Sequence, residues 1–374
     1  MVIVHISKEK IFCGNRSTLI APFPKIIFHS SAVPKEIKMA NEKPLVLVTD
    51  YLEESGIESI VLDGCAEIKL LQTNDESIIE PFAPQATGLL VFHDIKISSR
   101  TISKLDRCLG IVRCGVGYDN VDIKSAGERG IAVCNVPDYG SEEVADHAVL
   151  LLLAIARRLI PCHEDISSGG WQPNIVFGSP RLRGKTVGII GCGRIGTAAA
   201  LRFKAFGLRV LFYDPFATPG LDKALGLERC YSLEEMLPQC LFVSVHTPLT
   251  PQTRHIINDK TIALLPKGAY LINTARGPCV SGDAVIKGLE SGQLAYAALD
   301  VVEVEPLADE RLRKHPRVLL TPHSAYYSVE GFIEMRRKGA EELRRMILNQ
   351  PVMNLVNGHC LTNPRFKLPL SQLG

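Results

Sequence analysis

Three stretches of the sequence end an apolar run in a side chain that can do chemistry. They are Arg276 in Asn273-Thr274-Ala275-Arg276-Gly277, the acids of Asp300-Val301-Val302-Glu303-Val304-Glu305-Pro306, and His323 in Thr321-Pro322-His323-Ser324-Ala325. Taken singly, each has a plain structural reading, since most arginines are exposed and histidine also serves as a partly buried amphipathic residue. Together they are what reduction of a 2-keto acid requires. A guanidinium is a planar, permanently charged fork that holds a carboxylate and polarises the neighbouring carbonyl. A protonated imidazole gives a proton to the developing alkoxide as hydride arrives. A glutamate beside it orients the ring and stabilises its charged form.

A hydride needs a carrier, and residues 187–214 have the pattern of a dinucleotide site: apolar strand, glycine-rich turn, helix, second strand, acid. In the turn Gly191-Cys192-Gly193-Arg194-Ile195-Gly196, Gly191 permits the bend and Gly193 lets the backbone approach a pyrophosphate. Gly196 lets helix and strand pack closely, and the helix N-terminus, with Arg194 and Ile195, offers N–H groups to the phosphates. Asp214 lies 18 residues after Gly196, where a carboxylate accepts from ribose hydroxyls and repels a 2′-phosphate. The expected cofactor is therefore NAD (NADH) rather than NADP. Residues 178–186 are a decoy for a phosphate loop: five residues separate the glycines and a strand follows.

The elements that must hold these groups follow from the apolar pattern. Short β-rich runs at 45–49, 68–71, 88–92, 111–114 and 131–135 predict one parallel sheet. Runs at 187–190, 210–213, 241–246, 269–273, 297–301 and 318–321 predict a second, doubly wound one of six strands. A helix is expected over 142–159 with Ser141 as its N-cap, and another over 328–348 that returns to the first unit. The fold class is α/β with two Rossmann-like or flavodoxin-like domains, the substrate domain being discontinuous. Expected boundaries are 43–140 with 325–357 for the substrate domain, 141–324 for the cofactor domain, and 358–374 for a flexible tail. Residues 1–42 have no sustained period, and read as a disordered or targeting leader or as sequence upstream of a start at Met39.

Composition narrows the rest. With 374 residues, net charge +2 and 46% apolar residues, the chain is globular, and nothing argues for nucleic acid or a membrane as partner. Its longest apolar run, residues 148–156, is too short to span a bilayer. The eleven cysteines include no C-x-x-C pair, so they read as core residues of a protein in a reducing, cytoplasmic compartment, with no metal site.

Further stretches carry a resemblance: Arg113-Cys114-Gly115-Val116-Gly117-Tyr118-Asp119-Asn120, Ala132-Val133-Cys134-Asn135-Val136-Pro137, Glu142-Glu143-Val144-Ala145-Asp146, His246-Thr247-Pro248-Leu249-Thr250 and Pro322-His323-Ser324-Ala325-Tyr326-Tyr327-Ser328. With the motifs above, over residues 43–357, the sequence resembles the D-isomer-specific 2-hydroxyacid dehydrogenases, and within them the C-terminal binding protein branch and its bacterial relatives. The resemblance implies that Arg276 binds substrate, His323 is the acid/base and Glu305 its partner, with Glu303 a neighbour. It implies that Val116 and Gly117 offer backbone N–H groups to the substrate carboxylate. Around the nicotinamide and ribose it places His246, Thr247, Pro248, Thr253, Thr274, Ala275, Arg276, Asp300 and His323, with Asp300 on the carboxamide. It also implies two domains closing over the cofactor, and a homodimer built around residues 145–159.

Two departures stand out. Tyr326 replaces the tryptophan of the animal corepressors and so alters the wall of the substrate pocket, and Pro278 follows Arg-Gly, which should change the backbone locally. Three functions stay open. The first is reduction of a small 2-keto acid to its 2-hydroxy acid. The second is an NAD(H)-sensing corepressor with protein partners and a nuclear location. The third is oxidation of phosphoglycerate, for which Arg113 or Arg100 would have to meet the phosphate.

Overall fold

The structure, a computed structural model, describes residues 43–368 together with Val4, His5, Lys25 and Ile26. Val4–His5 and Lys25–Ile26 pair antiparallel; the rest of residues 1–42, expected as a leader or an upstream start, lies outside the described residues, as do 369–374.

From Pro44 onward the chain forms two parallel sheets. The first contains β1 (Leu45–Val48), β2 (Glu67–Leu70), β3 (Ala86–Val91), β4 (Gly110–Arg113) and β5 (Ala132–Asn135) in the order β2-β1-β3-β4-β5. The second contains β6 (Thr186–Ile190), β7 (Arg209–Tyr213), β8 (Glu228–Cys230), β9 (Phe242–Val245), β10 (Ala269–Asn273), β11 (Leu294–Leu299) and β12 (Val318–Leu320). Its order is β8-β7-β6-β9-β10-β11-β12. Central strands such as β4, β6 and β10 are buried along their whole length. They are therefore continuous apolar runs rather than alternating ones, as expected of sheets covered on both faces. Each sheet reverses its winding beside its first strand, which opens a crevice at the carboxyl ends of the strands.

The second sheet has seven strands, not the six expected. The missed strand is β8, a three-residue edge that begins with Glu228 and Arg229; it has no apolar run to announce it. The helix expected over 142–159 is shorter and differently capped. Helix α1 runs Ser141–Ala156 with Gly140 at the cap. Ser141 is instead its first helical residue, with its hydroxyl buried and without a partner. Arg158 ends the run by adopting a left-handed conformation (φ 53°), and its guanidinium donates to the Ile175 carbonyl at 2.8 Å. A separate helix follows at Leu159–Ser167.

The last long helix, α2 (Val329–Ile347), is capped by Ser328, whose hydroxyl accepts from Gly331 N–H. It does return to the first sheet. Phe332, Met335, Leu343 and Met346 pack with Val46, Val48, Leu90 and Val112 in one core. Its Arg336 makes a bidentate, buried pair with Glu58, at 2.8 and 2.6 Å. Beyond it, residues 358–368 are not the loose tail that their aperiodic sequence suggests. Thr362 N–H donates to the Gly127 carbonyl, one Arg365 nitrogen caps the carbonyls of Leu105, Asp106 and Cys108, and Phe366 is buried. Polar caps of this kind leave no periodic trace. Among the described residues no helix is long and apolar enough to cross a membrane, and no group of three His, Cys, Asp or Glu is placed to hold a metal ion.

Candidate active site

The carboxyl ends of the strands from both sheets face one cleft, with a volume of about 420 Å³. On the side of the second sheet, the glycine turn after β6 has the geometry that its sequence demands. Gly191 sits at φ 90°, and a Cβ there would lie 3.0 Å from the His246 backbone. A Cβ on Gly196 would come within 2.0 Å of the Gly191 carbonyl oxygen, so any side chain would force the helix off the strand. Gly193, by contrast, has nothing within 4 Å of its would-be Cβ and opens onto the cleft. The helix Arg194–Ala205 starts there, and Arg194 and Ile195 line the cleft with its first, unsatisfied turn. Asp214, at the end of β7, accepts from Cys192 N–H (2.9 Å) and Phe216 N–H (2.8 Å). It thus orders the glycine turn while keeping lone pairs for a ribose.

Two further features fit a dinucleotide. Thr274 Oγ1 and His246 Nδ1 are buried, line the cleft and have no hydrogen-bond partner. Such groups are costly to bury unless something satisfies them. Burial pushes the His246 imidazole down to about 4, so it is neutral near pH 7. Thr247, Pro248 and Ala275 also line the cleft. Thr253 does not. Its hydroxyl donates to the Pro248 carbonyl (2.6 Å) and accepts from Thr250 N–H (2.7 Å), so it shapes the 248–250 loop. Pro278 is the second residue of a single tight turn, Gly277–Cys279, that follows Arg276.

The acid–base pair is assembled. His323 Nδ1 lies 2.7 Å from Glu305 Oε2. Burial works to raise the Glu305 carboxyl, but the hydrogen bond and charge of His323 outweigh it and the net direction is down. Glu305 therefore stays an anion well to the acid side of neutrality. Since a carboxylate only accepts, Nδ1 carries the hydrogen and Nε2 is the nitrogen free for substrate. Glu303, two residues before, turns the other way and pairs with His255 at 2.5 Å.

Asp300 has a different emphasis from the one expected. Oδ1 accepts from Thr321 Oγ1 (2.6 Å) and Ser324 N–H (2.9 Å), and Oδ2 from Ala325 N–H (3.1 Å). Its backbone carbonyl takes His323 N–H at 2.8 Å. The buried carboxylate is thus the anchor that holds the left-handed His323 (φ 52°) in place, with one lone pair of Oδ2 left for a carboxamide.

Arg276 follows β10 and is braced by the Asn273 side chain, which donates to the Arg276 carbonyl and accepts from Ala275 N–H, both at 3.0 Å. The guanidinium donates through Nε to Asp119 Oδ1 (3.0 Å) and through Nη1 to the Ala275 carbonyl (2.8 Å). Its Nη2 end sits against Gly117, where a Cβ would fall 1.3 Å from Nη2. Val116, Gly117 and Tyr326 all line the same cleft, and neither Val116 nor Gly117 donates its N–H to another described residue.

Three cleft residues carried no legible signal in the sequence, Tyr51, His93 and Tyr139, whereas Arg113, named there as a candidate cation, does line the cleft. Arg113 is buried, its Nε has no partner, and burial pulls its guanidinium below the ordinary arginine value. Arg100, the alternative cation, is paired with Glu80 at 2.6 Å outside the cleft. The only available hint for His93 was that it lies just after a buried strand of the first sheet.

Comparison with known proteins agrees with this geometry. The family model described as "D-isomer specific 2-hydroxyacid dehydrogenase, NAD binding domain" matches residues 149–325. D-3-phosphoglycerate dehydrogenase of Bacillus subtilis is 34% identical over 322 residues, 86% of this chain and 60% of the relative. C-terminal-binding protein 1 of Caenorhabditis elegans is 33% identical over 333 residues, 86% of this chain and 45% of the relative. The chain thus spans 60% and 45% of the lengths of these two curated relatives. The crystal structure of D-lactate dehydrogenase from Aquifex aeolicus, complexed with NAD and lactic acid, superposes with a TM-score of 0.75 at 30% identity. That match covers 81% of this chain and 95% of the other. The chain belongs to the D-isomer specific 2-hydroxyacid dehydrogenase family and carries the family's NAD binding domain.

Proposed function

We propose that this protein is an NAD-dependent oxidoreductase that interconverts a small 2-keto acid and its 2-hydroxy acid. The observation that carries the reading is the Glu305–His323 pair, 2.7 Å apart, in the same cleft as Arg276 and the glycine turn. Reduced NAD, when bound along residues 191–196, supplies the hydride. The chain's own groups do the rest. Arg276 and the N–H groups of Val116 and Gly117 hold the substrate carboxylate and draw electron density from the adjoining carbonyl. His323 delivers the Nε2 proton to the oxygen that becomes the hydroxyl, and Glu305 stabilises the charge that the ring carries beforehand. In the oxidative direction the same nitrogen, now neutral, takes that proton back.

The test is consumption of NADH, followed by absorbance, with glyoxylate, pyruvate, hydroxypyruvate and phosphohydroxypyruvate. Turnover of at least one is expected, and no turnover of any would remove the reading. A phosphorylated substrate is the second reading, favoured by one observation: Arg113 lines the cleft with an unpartnered Nε. Preference for the phosphorylated acid in that panel would select it. Residues 43–140 with 325–357 would then act as the substrate lobe and 141–324 as the cofactor lobe.

A homodimer built on α1 and the helix after it belongs to the same reading. Leu150, Leu159, Ile160 and Ile166 are exposed there, an apolar set that a monomer has no reason to present. Light scattering should give twice the chain mass, and the double substitution Leu150→Glu, Leu159→Glu should give the monomer. A wild-type monomer at micromolar concentration would refute the dimer.

A further inference from the structure

His93 is built into the cleft as firmly as His323, although the mechanism above does not use it. It follows β3, and its loop is fixed from two sides. The buried carboxylate of Asp50 accepts from Phe92, Asp94 and Ile95 N–H, each at 3.0 Å. The Asn120 amide donates to the carbonyls of Phe92 (2.9 Å) and Ile95 (2.8 Å). This repeats, on the first sheet, the way Asp300 anchors the His323 loop on the second. The two imidazoles lie side by side in the cleft, with ring centroids 5.2 Å apart and planes inclined at 57°.

The chemistry of the His93 ring follows from its partners. Nε2 lies 3.0 Å from Asp94 Oδ1. A carboxylate cannot donate, so Nε2 bears the hydrogen and Nδ1 of the neutral ring is a hydrogen-bond acceptor. Burial favours that neutral form. With the charges of His323 and Arg113 it outweighs the opposing pull of Asp94 and Asp50, and the net direction is down.

We propose that His93 is a specificity-determining residue that accepts a hydrogen bond from a hydroxyl on the carbon next to the keto group, so that the preferred substrates are 3-hydroxy-2-keto acids. This rests on the oxidoreductase reading above. A substrate whose keto oxygen meets His323 carries its C3 substituent beside that oxygen. Oxygens on adjacent carbons are separated by about one hydrogen-bond length, which two neighbouring rings can each meet. A 3-methyl substrate leaves the acceptor unsatisfied, and a polar group stranded in this way is where a site discriminates most strongly.

The experiment compares kcat/KM for hydroxypyruvate and pyruvate, which differ by that one hydroxyl, in wild type, His93→Phe and His93→Gln. Wild type should prefer hydroxypyruvate by about 30-fold or more, the worth of one hydrogen bond to a partly buried acceptor. His93→Phe should bring the ratio to within about 3-fold of unity, and His93→Gln, which keeps an acceptor, should retain most of it. A wild-type ratio near unity overturns the proposal. So does a proportional loss on both acids in His93→Phe, the signature of a residue that only supports the loop. Turnover of glyoxylate or phosphohydroxypyruvate with neither of these two acids consumed overturns this proposal alone, and turnover of none of the four overturns the parent reading as well, so the two failures are distinguishable.

Discussion

His323→Ala lowers kcat for keto-acid reduction by about 10²-fold or more, the ordinary worth of a positioned general acid. NADH binding, read by quenching of protein fluorescence, is retained. The separation of the two effects follows from the anchoring. Asp300 holds the loop through backbone N–H groups and Thr321, not through the imidazole, so removing the ring leaves the loop in place. The loss therefore appears in the chemical step rather than in folding or cofactor affinity. Near-wild-type turnover would take His323 out of its role.

Arg276→Ala should cost about 10³-fold in kcat/KM, because the lost contact is a charge-assisted one to a carboxylate that also activates the carbonyl. Arg276→Lys should recover little of it, since an ammonium cannot make the planar, two-pronged contact. Removing the guanidinium also strands Asp119. Burial works to raise that carboxyl, but Arg276's charge and hydrogen bond bring it below its ordinary value. A gentler variant separates these effects. Gly117→Ala keeps the charge but puts a methyl where Nη2 now sits. It should raise KM for the keto acid with little change in NADH affinity. Equal losses of substrate and cofactor binding in these variants would mean that Arg276 serves the fold, not the substrate.

How much of this was legible beforehand depended on how each residue is held. The glycine turn could be read because its chemistry is local: strand, turn, helix and acid all lie within residues 187–214. Arg276, Glu305 and His323 could be read as strand-end residues, and through the resemblance. His93 could not, because a histidine after a short buried strand has many uses, and only the meeting of two sheets shows which applies; Arg113 was named only as one of two candidate cations, and the structure brings it, not Arg100, to the cleft. Thr253 misled because its motif neighbours do line the cleft, while its own hydroxyl is taken up by the loop. The end of α1 was missed for a related reason. Apolar periodicity runs on past Ala156, and the stop is set by the left-handed backbone of Arg158, which no pattern of side chains announces.

The pH dependence in the two directions tests the central claim most directly. Three histidines line the cleft. Burial holds His246 at about 4 and pulls His93 below its ordinary value, and Glu305 titrates on the acid side of its own. The proton-transferring group that both directions share in this account is His323, the cleft histidine paired with Glu305. Reduction needs it protonated, so kcat/KM for the keto acid should fall as pH rises. Oxidation needs it neutral, so kcat/KM for the hydroxy acid should fall as pH drops. Both limbs should vanish in His323→Ala. Limbs that run in the same direction, or that survive the substitution, would contradict the account.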